Sequence, residues 1–548
     1  MIGELKRDAG VVGLILASLG GIVGSGWLFG PLNAARSAGP ASLIAWAIGG
    51  FAILLLALVY AELTTTFPRA GAVIALPKLS HGKLLATAMS WVVLLGYLTS
   101  APAEAAAVVT YTNNFYHGLV LPDGMLSMSG FLAAIVLLAV FAAINTLAIR
   151  LVLRINGIIT LWKLAIPALT VAALLLARFR PDNFVAHGFA PHGVAGIFSA
   201  VATSGVVYAY TGFRQAVELA GESRYPTRDL PIAIIGSVMI GFLLYAALQL
   251  AFIGALPPRA LVQGWDNLKF AGMSGPFAGL AALLGMNWLA VLLYIDAAVS
   301  PAGTGIIAYT STPRLLYATG REGLARGPLA RLSPAGAPII GVLLSFAIGA
   351  VFLLPLPSWR AAIKIVSTAA LLSYGMASVS LITLRRTVPV SRYPRPFLLP
   401  LGTPIAGIAF IVANFIIVWT GAHTANVVML YVLIAAAIYT AIRWTTGAGF
   451  MGLNAPNAWW LAPYFAGLWA LANLGPKNLT HGDGTLSNVD LSLALVLFSL
   501  AILTIAARAG LPDPAEAKAS VTGSGTATPA HASGQSMPDR PPEDRRAP

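Results

Sequence analysis

Apolar runs of about twenty residues recur along nearly the whole chain, and only short polar stretches separate them. A run of that length crosses the hydrocarbon of a bilayer as a helix. In lipid the backbone must satisfy its own hydrogen bonds, which makes helices the default spanning element. A membrane β-barrel needs alternating strands of about 10 residues, and the sequence contains no such pattern. The chain is 58% hydrophobic and 9% charged, whereas a soluble domain carries roughly 25% charged residues. The sequence therefore predicts an all-α integral membrane protein. Helix centres fall in 11–36, 40–66, 86–115, 128–149, 154–178, 194–220, 231–256, 279–312, 338–355, 361–384, 404–421, 425–443, 459–474 and 490–508, about 14 transmembrane helices.

A net charge of +14 invites a nucleic-acid reading. The arrangement of the charge argues against it. With the N-terminus cytoplasmic, most of the 33 Lys and Arg fall in cytoplasmic segments, among them Arg69, Lys78, Lys83, Arg314, Arg321, Arg385, Arg386 and Arg395. Few fall outside, among them Arg36, Arg178, Arg259 and Lys477. This is the positive-inside pattern. It predicts a multi-pass protein of the cytoplasmic (inner) membrane with both termini cytoplasmic, the lipid bilayer as its medium and no nucleic-acid partner.

The first apolar run starts near Val11 and lacks a small-residue cleavage site, so it reads as a retained span. Residues 1–10 form a cytoplasmic N-terminus, and Gly71 to Leu85 is too polar to span and reads as an interfacial helix. From Gly510 the chain turns rich in Pro, Ala, Ser, Thr and Gly, so 510–548 reads as a disordered cytoplasmic tail. With no cysteine, disulfides and thiolate metal sites are excluded. The seven histidines form no ligand-spaced pair; His187 and His192 are merely loop neighbours. No metal and no cofactor are expected.

The first span holds four glycines in the seven residues Gly20-Gly21-Ile22-Val23-Gly24-Ser25-Gly26. Gly20 and Gly24 fit a small-residue packing pair. Packing does not account for Gly24-Ser25-Gly26 before the bulky Trp27-Leu28-Phe29. An unwound segment whose bare amides and carbonyls hold a ligand does. The sixth span is interrupted too, from Thr203-Ser204-Gly205 through Tyr208-Ala209-Tyr210-Thr211-Gly212. Two broken helices five spans apart predict inverted repeats and a binding site at the membrane midplane. Freed amides attract a carboxylate and freed carbonyls attract an ammonium, so the site suits a zwitterion.

Ionisable residues inside spans are costly and usually functional. Here they are Glu104, Lys163, Arg214, Glu218 and Asp296. Lys163 either faces the bundle interior or snorkels to the cytoplasmic interface. Arg214 and Glu218, four apart, form either an intrahelical ion pair or part of a site. Glu62, near the end of the second span, reads as structural.

At these residues the chain resembles the amino acid–polyamine–organocation superfamily of permeases. GGIVGSGWLFGP is similar to its first-helix motif, Glu62-Leu63 through Phe67-Pro68 and Gly71 to its second-helix signature, and YAYTGFRQAVELAGESRYPTRDLP to its sixth-helix motif. IDAAVSPAGTG with TPRLLYATGREG resembles helix eight and its loop, and RYPRPFLLPLGTP the loop before helix eleven. The resemblance implies a LeuT-type bundle of two inverted repeats of five helices with accessory helices. Residues 11–385 would form the core and 386–509 the accessory helices. It implies secondary active transport of amino acids by alternating access, by proton coupling or exchange, in a monomer or homodimer. It implies a substrate carboxylate on the amides around Gly24, Ser25 and Gly26, and an amine near the carbonyls of Ile22, Tyr208, Ala209 and Thr211, with Tyr208 as an aromatic gate. It implies that Lys163 fills a cation site at the carbonyls of Gly20 and Val23 with Ser300 nearby, Glu104 being the rival proton carrier. Ala220-Gly221-Glu222 where Ala-Glu-Glu is common, Arg214 where an acidic or small residue is common, and Glu104 itself depart from the family pattern.

A polyamine or other organocation carrier on the same fold is the alternative. A channel is disfavoured because broken helices in repeats suit alternating access better than a filter ring. A membrane enzyme is disfavoured because the chain has no HExxH, nucleophile elbow or Walker loop.

Overall fold

The structure is a computed structural model. It describes residues 7–146, 149–185, 187–321, 339–354, 358–391, 393–445, 447, 449 and 452–512. The regular structure of the described residues is helical, with two isolated β-bridges, Ala9 to Ser223 and Val120 to Leu126, and no strand.

The helices are α1 (Val11–Ile22), α2 (Gly26–Ala38), α3 (Ser42–Thr66), α4 (Ala72–His81), α5 (Lys83–Thr112), α6 (Met128–Ile144) and α7 (Ile149–Ala177). Next come α8 (Gly193–Thr203), α9 (Val206–Tyr210), α10 (Arg214–Glu218), α11 (Pro226–Ala255), α12 (Pro276–Leu283) and α13 (Asn287–Arg321). The chain ends on α14 (Ile339–Phe352), α15 (Trp359–Thr387), α16 (Gly402–Trp419), α17 (Ala422–Thr445), α18 (Leu461–Leu474) and α19 (Asn488–Ala509).

Among the described residues nine helical stretches are long and apolar enough to cross a bilayer, and a tenth if the two bent arms of α8 and α9–α10 count as one span. Four shorter apolar helices, α1, α6, α14 and α18, occupy the remaining expected stretches. One boundary is corrected. The stretch expected at 279–312 is divided: α12 ends at Leu283, Gly285 turns the chain at φ +77°, and the long helix starts only at Asn287. The glycine supplies a left-handed turn that other residues adopt at a penalty. The loop after α13 carrying Arg326 and Arg331, the start of the chain through Lys6, and the tail beyond Pro512 lie outside the described residues.

Helices α5 and α15 are the most enclosed and pack on each other, with α13 on α5 and α3 on α11. On α15 the small hydroxyl residues Ser367, Thr368, Ser373, Ser378, Ser380 and Thr383 are buried. Small residues let helices approach closely where lipid offers no hydrophobic driving force between them. The outer helices show the reverse pattern. Leu132, Val136 and Val140 on α6, and Leu430, Leu433 and Ile434 on α17, are exposed, as lipid-facing side chains must be. Glu62 is structural as expected: buried on α3, it accepts from Arg385 Nε (2.8 Å) and from the Leu399 amide (2.9 Å) and ties α3 to α15 and the loop before α16.

Candidate functional site

Two chain breaks meet at the centre of the bundle. Helix α1 stops at Ile22 because Val23 turns to an extended backbone (φ −85°, ψ 91°), and α2 resumes at Gly26. Helix α8 stops at Thr203, and Gly205 at φ +92° starts α9, with a 43° bend between the arms. The breaks touch through glycines. A Cβ on Gly212 would lie 2.0 Å from Gly21 C, and one on Gly24 would lie 2.8 Å from both Glu104 Oε1 and Thr304 Oγ1. At Gly212 the obstacle is backbone and leaves no room for a side chain; at Gly24 the Glu104 and Thr304 side chains would have to move.

Breaking a helix frees backbone groups that must find partners. The Ser25 amide donates to Glu104 Oε2 at 3.1 Å, and the Tyr208 hydroxyl donates to Glu104 Oε1 at 2.6 Å. Trp359 Nε1 donates to Ser25 Oγ at 2.7 Å. On the other side of the break Lys163 Nζ donates to the Gly20 carbonyl at 2.9 Å and to Thr304 Oγ1 at 2.7 Å. One helix break is thus gripped from its two sides, by a carboxylate from α5 at Ser25 and an ammonium from α7 at the last turn of α1. Both are fully buried, which excludes snorkelling for Lys163. Charges so placed require a partner.

Freed carbonyls expected to meet a ligand's amine hold tyrosine and threonine hydroxyls here. Tyr245 donates to the Ile22 carbonyl (2.8 Å) and the Ala209 carbonyl (3.3 Å). Tyr374 donates to the Thr211 carbonyl at 2.6 Å, and Thr211 Oγ1 to the Tyr208 carbonyl at 2.8 Å. Gly26 faces α9, its Cβ position being 3.0 Å from Ala209 Cβ.

The structure therefore brings Gly20, Ile22, Gly24, Ser25, Gly26, Glu104, Lys163, Tyr208, Ala209 and Thr211 together. Val23 is buried at the break itself. Ser300 is placed differently from expectation: its hydroxyl donates to Asp296 Oδ1 at 2.7 Å, and Thr304, one turn on, receives the ammonium instead. Thr304, Trp359, Tyr245 and Tyr374 escaped the sequence reading. For Thr304 a signal existed, because Asp296, Ser300 and Thr304 form a polar stripe at four-residue spacing on an apolar helix. Asp296 is buried, and its carboxyl group faces the indole N–H groups of Trp27 and Trp162.

A cavity with about 540 Å³ of empty space, part of it open to solvent, adjoins the breaks. Its lining includes Gly24, Glu104, Tyr208, Thr304, Arg214 and Gln215. On one side the buried rings of Phe29, Tyr208 and Trp359 pack edge and face and close the approach. On the other, toward the N-terminus of α1, Gly21, Thr211, Arg214, Gln215 and Ile307 are partly exposed.

His192 lies 2.9 Å from Asp266 Oδ1, and among the described residues no group of three His, Asp or Glu is placed to hold a metal.

A family model described as "Amino acid permease" matches residues 10–475. The aspartate-proton symporter of Bacillus subtilis is 36% identical over 94% of this chain and 98% of its own length. The glutamate/serine transporter AimA of the same organism is 35% identical over 86% of this chain and 88% of its own. The branched-chain amino acid permease BcaP, also from that organism, is 28% identical over 80% and 93%.

Proposed function

The chain belongs to the amino acid permease family, and from that premise we propose that it carries amino acids across the cytoplasmic membrane by proton-driven alternating access. The observation that carries the reading is the double grip across one helix break. Glu104 holds the Ser25 amide and Lys163 holds the Gly20 carbonyl, five residues apart.

A substrate carboxylate binds at the Ser25 and Gly26 amides and an amine at the carbonyls of Ile22, Tyr208 and Thr211. The Ser25 amide needs Glu104 to let go, whereas each carbonyl, with two lone pairs, can accept an amine beside its hydroxyl donor. Protonation of Glu104 weakens its hold on Ser25, since a hydrogen bond to a charged acceptor is roughly twice as strong as one to a neutral acceptor. Deprotonation of Lys163 weakens the tie between α7 and α1. A proton couples to transport only through different affinity for the two states, and these two side chains supply that difference. The names of two of the relatives, an aspartate-proton symporter and a glutamate/serine transporter, favour amino acid symport over polyamine transport.

The bundle is read as two inverted repeats of five helices, residues 11–385, followed by accessory helices at 386–509. Its support is that each half opens on a broken helix and that the two breaks meet. With the termini cytoplasmic, the partly exposed end of the cavity lining faces inward, and Phe29, Tyr208 and Trp359 form the outer gate.

The test is uptake into proteoliposomes of a panel of labelled amino acids, with and without an imposed proton gradient. Accumulation that collapses with the gradient is expected. Accumulation driven by sodium and indifferent to pH would overturn the coupling.

A further inference from the structure

The cavity carries a cation that the transport of a simple zwitterion does not use. Arg214 lies on α10, six residues past Tyr208, and lines the cavity with Glu104 and Tyr208. Its side chain is 11% exposed, and its guanidinium carbon stands 3.9 Å above the Tyr97 ring. Its contact with an anion is weak. Nε lies 3.5 Å from Glu218 Oε1, an oxygen that already accepts the Tyr97 hydroxyl at 2.6 Å. A guanidinium offers five N–H donors in a planar fork that matches a carboxylate. Here the ring of Tyr97 occupies its face, Glu218 meets its inner nitrogen and the Tyr374 hydroxyl takes one further donor, so the fork at the cavity wall is met by a single anion and neutral hydroxyls.

Resting on the amino acid reading above, we propose that the substrate is an amino acid with an anionic side chain, and that Arg214 binds its second carboxylate. The α-carboxylate and amine lie at the two chain breaks, and the side chain reaches along the cavity wall toward α10. Three features agree on this placement. The cavity is continuous from Gly24 to Arg214. The guanidinium is held in place by stacking rather than by a strong ion pair, so a ligand carboxylate does not have to displace a bidentate partner. Arg214 is the cation that lines the cavity, and in a low-dielectric site a second carboxylate needs a cation beside it, which Arg214 supplies even while it faces Glu218. A lysine in place of Arg214 would keep the charge and lose both the fork and the stacking.

The test is competition in proteoliposomes between labelled L-aspartate and unlabelled L-aspartate, L-glutamate, L-asparagine, L-lysine and succinate. Wild-type protein, Arg214→Gln and Arg214→Lys are compared. The half-saturation ratio of asparagine to aspartate is the readout, because it does not depend on how much protein inserts correctly. In the wild type one of the two acidic amino acids should outcompete asparagine at least about tenfold, the equivalent of about 1.4 kcal/mol. Arg214→Gln should bring the ratio near one, and Arg214→Lys should leave it between. An unchanged ratio in Arg214→Gln, or a loss of the same factor for every substrate, would overturn the assignment. Wild-type preference for asparagine or lysine would overturn the anionic substrate while leaving amino acid transport intact. Succinate competing as well as aspartate would overturn the amino acid reading itself, since it has no amine.

Discussion

The Glu104 carboxylate accepts the Ser25 amide at 3.1 Å, the same N–H on which a substrate carboxylate would settle. One N–H cannot serve both acceptors fully. Substrate binding should therefore strengthen as pH falls, since a protonated Glu104 releases the amide more readily. Glu104→Gln removes the charge and keeps the shape. Its substrate affinity should lose its pH dependence, and gradient-driven accumulation should fall at least about tenfold, the equivalent of about 1.4 kcal/mol. Binding of labelled substrate across a pH series measures both; a wild-type pH slope in the variant would remove Glu104 from the coupling.

Lys163 ties α7 to α1 through Gly20 and to α13 through Thr304. Lys163→Ala should abolish accumulation against a gradient while leaving some exchange of internal for external substrate. Removing one member of a buried charged set typically costs about 3–5 kcal/mol, so a lower melting temperature is expected as well. Thr304→Val keeps the charge and deletes one of its two acceptors, and should fall between the wild type and Lys163→Ala in counterflow and net-uptake assays. Full proton-driven accumulation by Lys163→Ala would reduce the lysine to an anchor.

The breaks were legible in the sequence because four glycines in seven residues conflict with a bulky transmembrane helix. The trapped ions were legible because a charge in an apolar run needs a reason. What the sequence hid is the pairing. Nothing in the spacing of Ser25 and Glu104, or of Ser25 and Trp359, links residues 79 and 334 positions apart. Tyr245 and Tyr374 stand in ordinary apolar helices, and only packing reveals that their hydroxyls meet the freed carbonyls of Ile22 and Thr211. Ser300 and Thr304 lie on one face four residues apart, so periodicity could nominate the face but not which hydroxyl the ammonium reaches. The α12 break was missed because Ala281 to Met286 is apolar throughout apart from one turn glycine.

His81 closes α4 beneath the core. Its ring is buried between Ser80 Oγ (Nδ1, 2.8 Å) and the Ala506 carbonyl (Nε2, 2.9 Å). Burial pushes the imidazole down from its ordinary value to about 4. A group with a lowered folded-state value favours its neutral form in the fold. Its contribution is complete above about pH 6.5 and is lost progressively as pH falls toward about 4, some 3 kcal/mol in all. Thermal unfolding in detergent should show this acid-side loss, and His81→Gln should flatten it. An equal slope in the variant would place the acid sensitivity elsewhere.

Gly212 carries the crossing of the two broken helices. A Cβ there would fall 2.0 Å from Gly21 C and 2.1 Å from Ile22 N. Both are backbone atoms of the α1 break, so no side-chain rotation relieves the clash; the break itself must shift. Overpacking of this kind typically costs about 1–3 kcal/mol, and the shift moves the Ile22 carbonyl and the Ser25 amide together away from Tyr245 and Glu104. Gly212→Ala should therefore lower uptake by more than about tenfold, the equivalent of about 1.4 kcal/mol, with a smaller effect on melting temperature. Gly236→Ala is the control. Nothing lies within 4 Å of its Cβ position on α11, so helix propensity alone should act and raise stability by up to about 1 kcal/mol. Uptake by Gly212→Ala at the wild-type rate would mean that the breaks do not have to meet for transport, and the site would have to be sought elsewhere in the bundle.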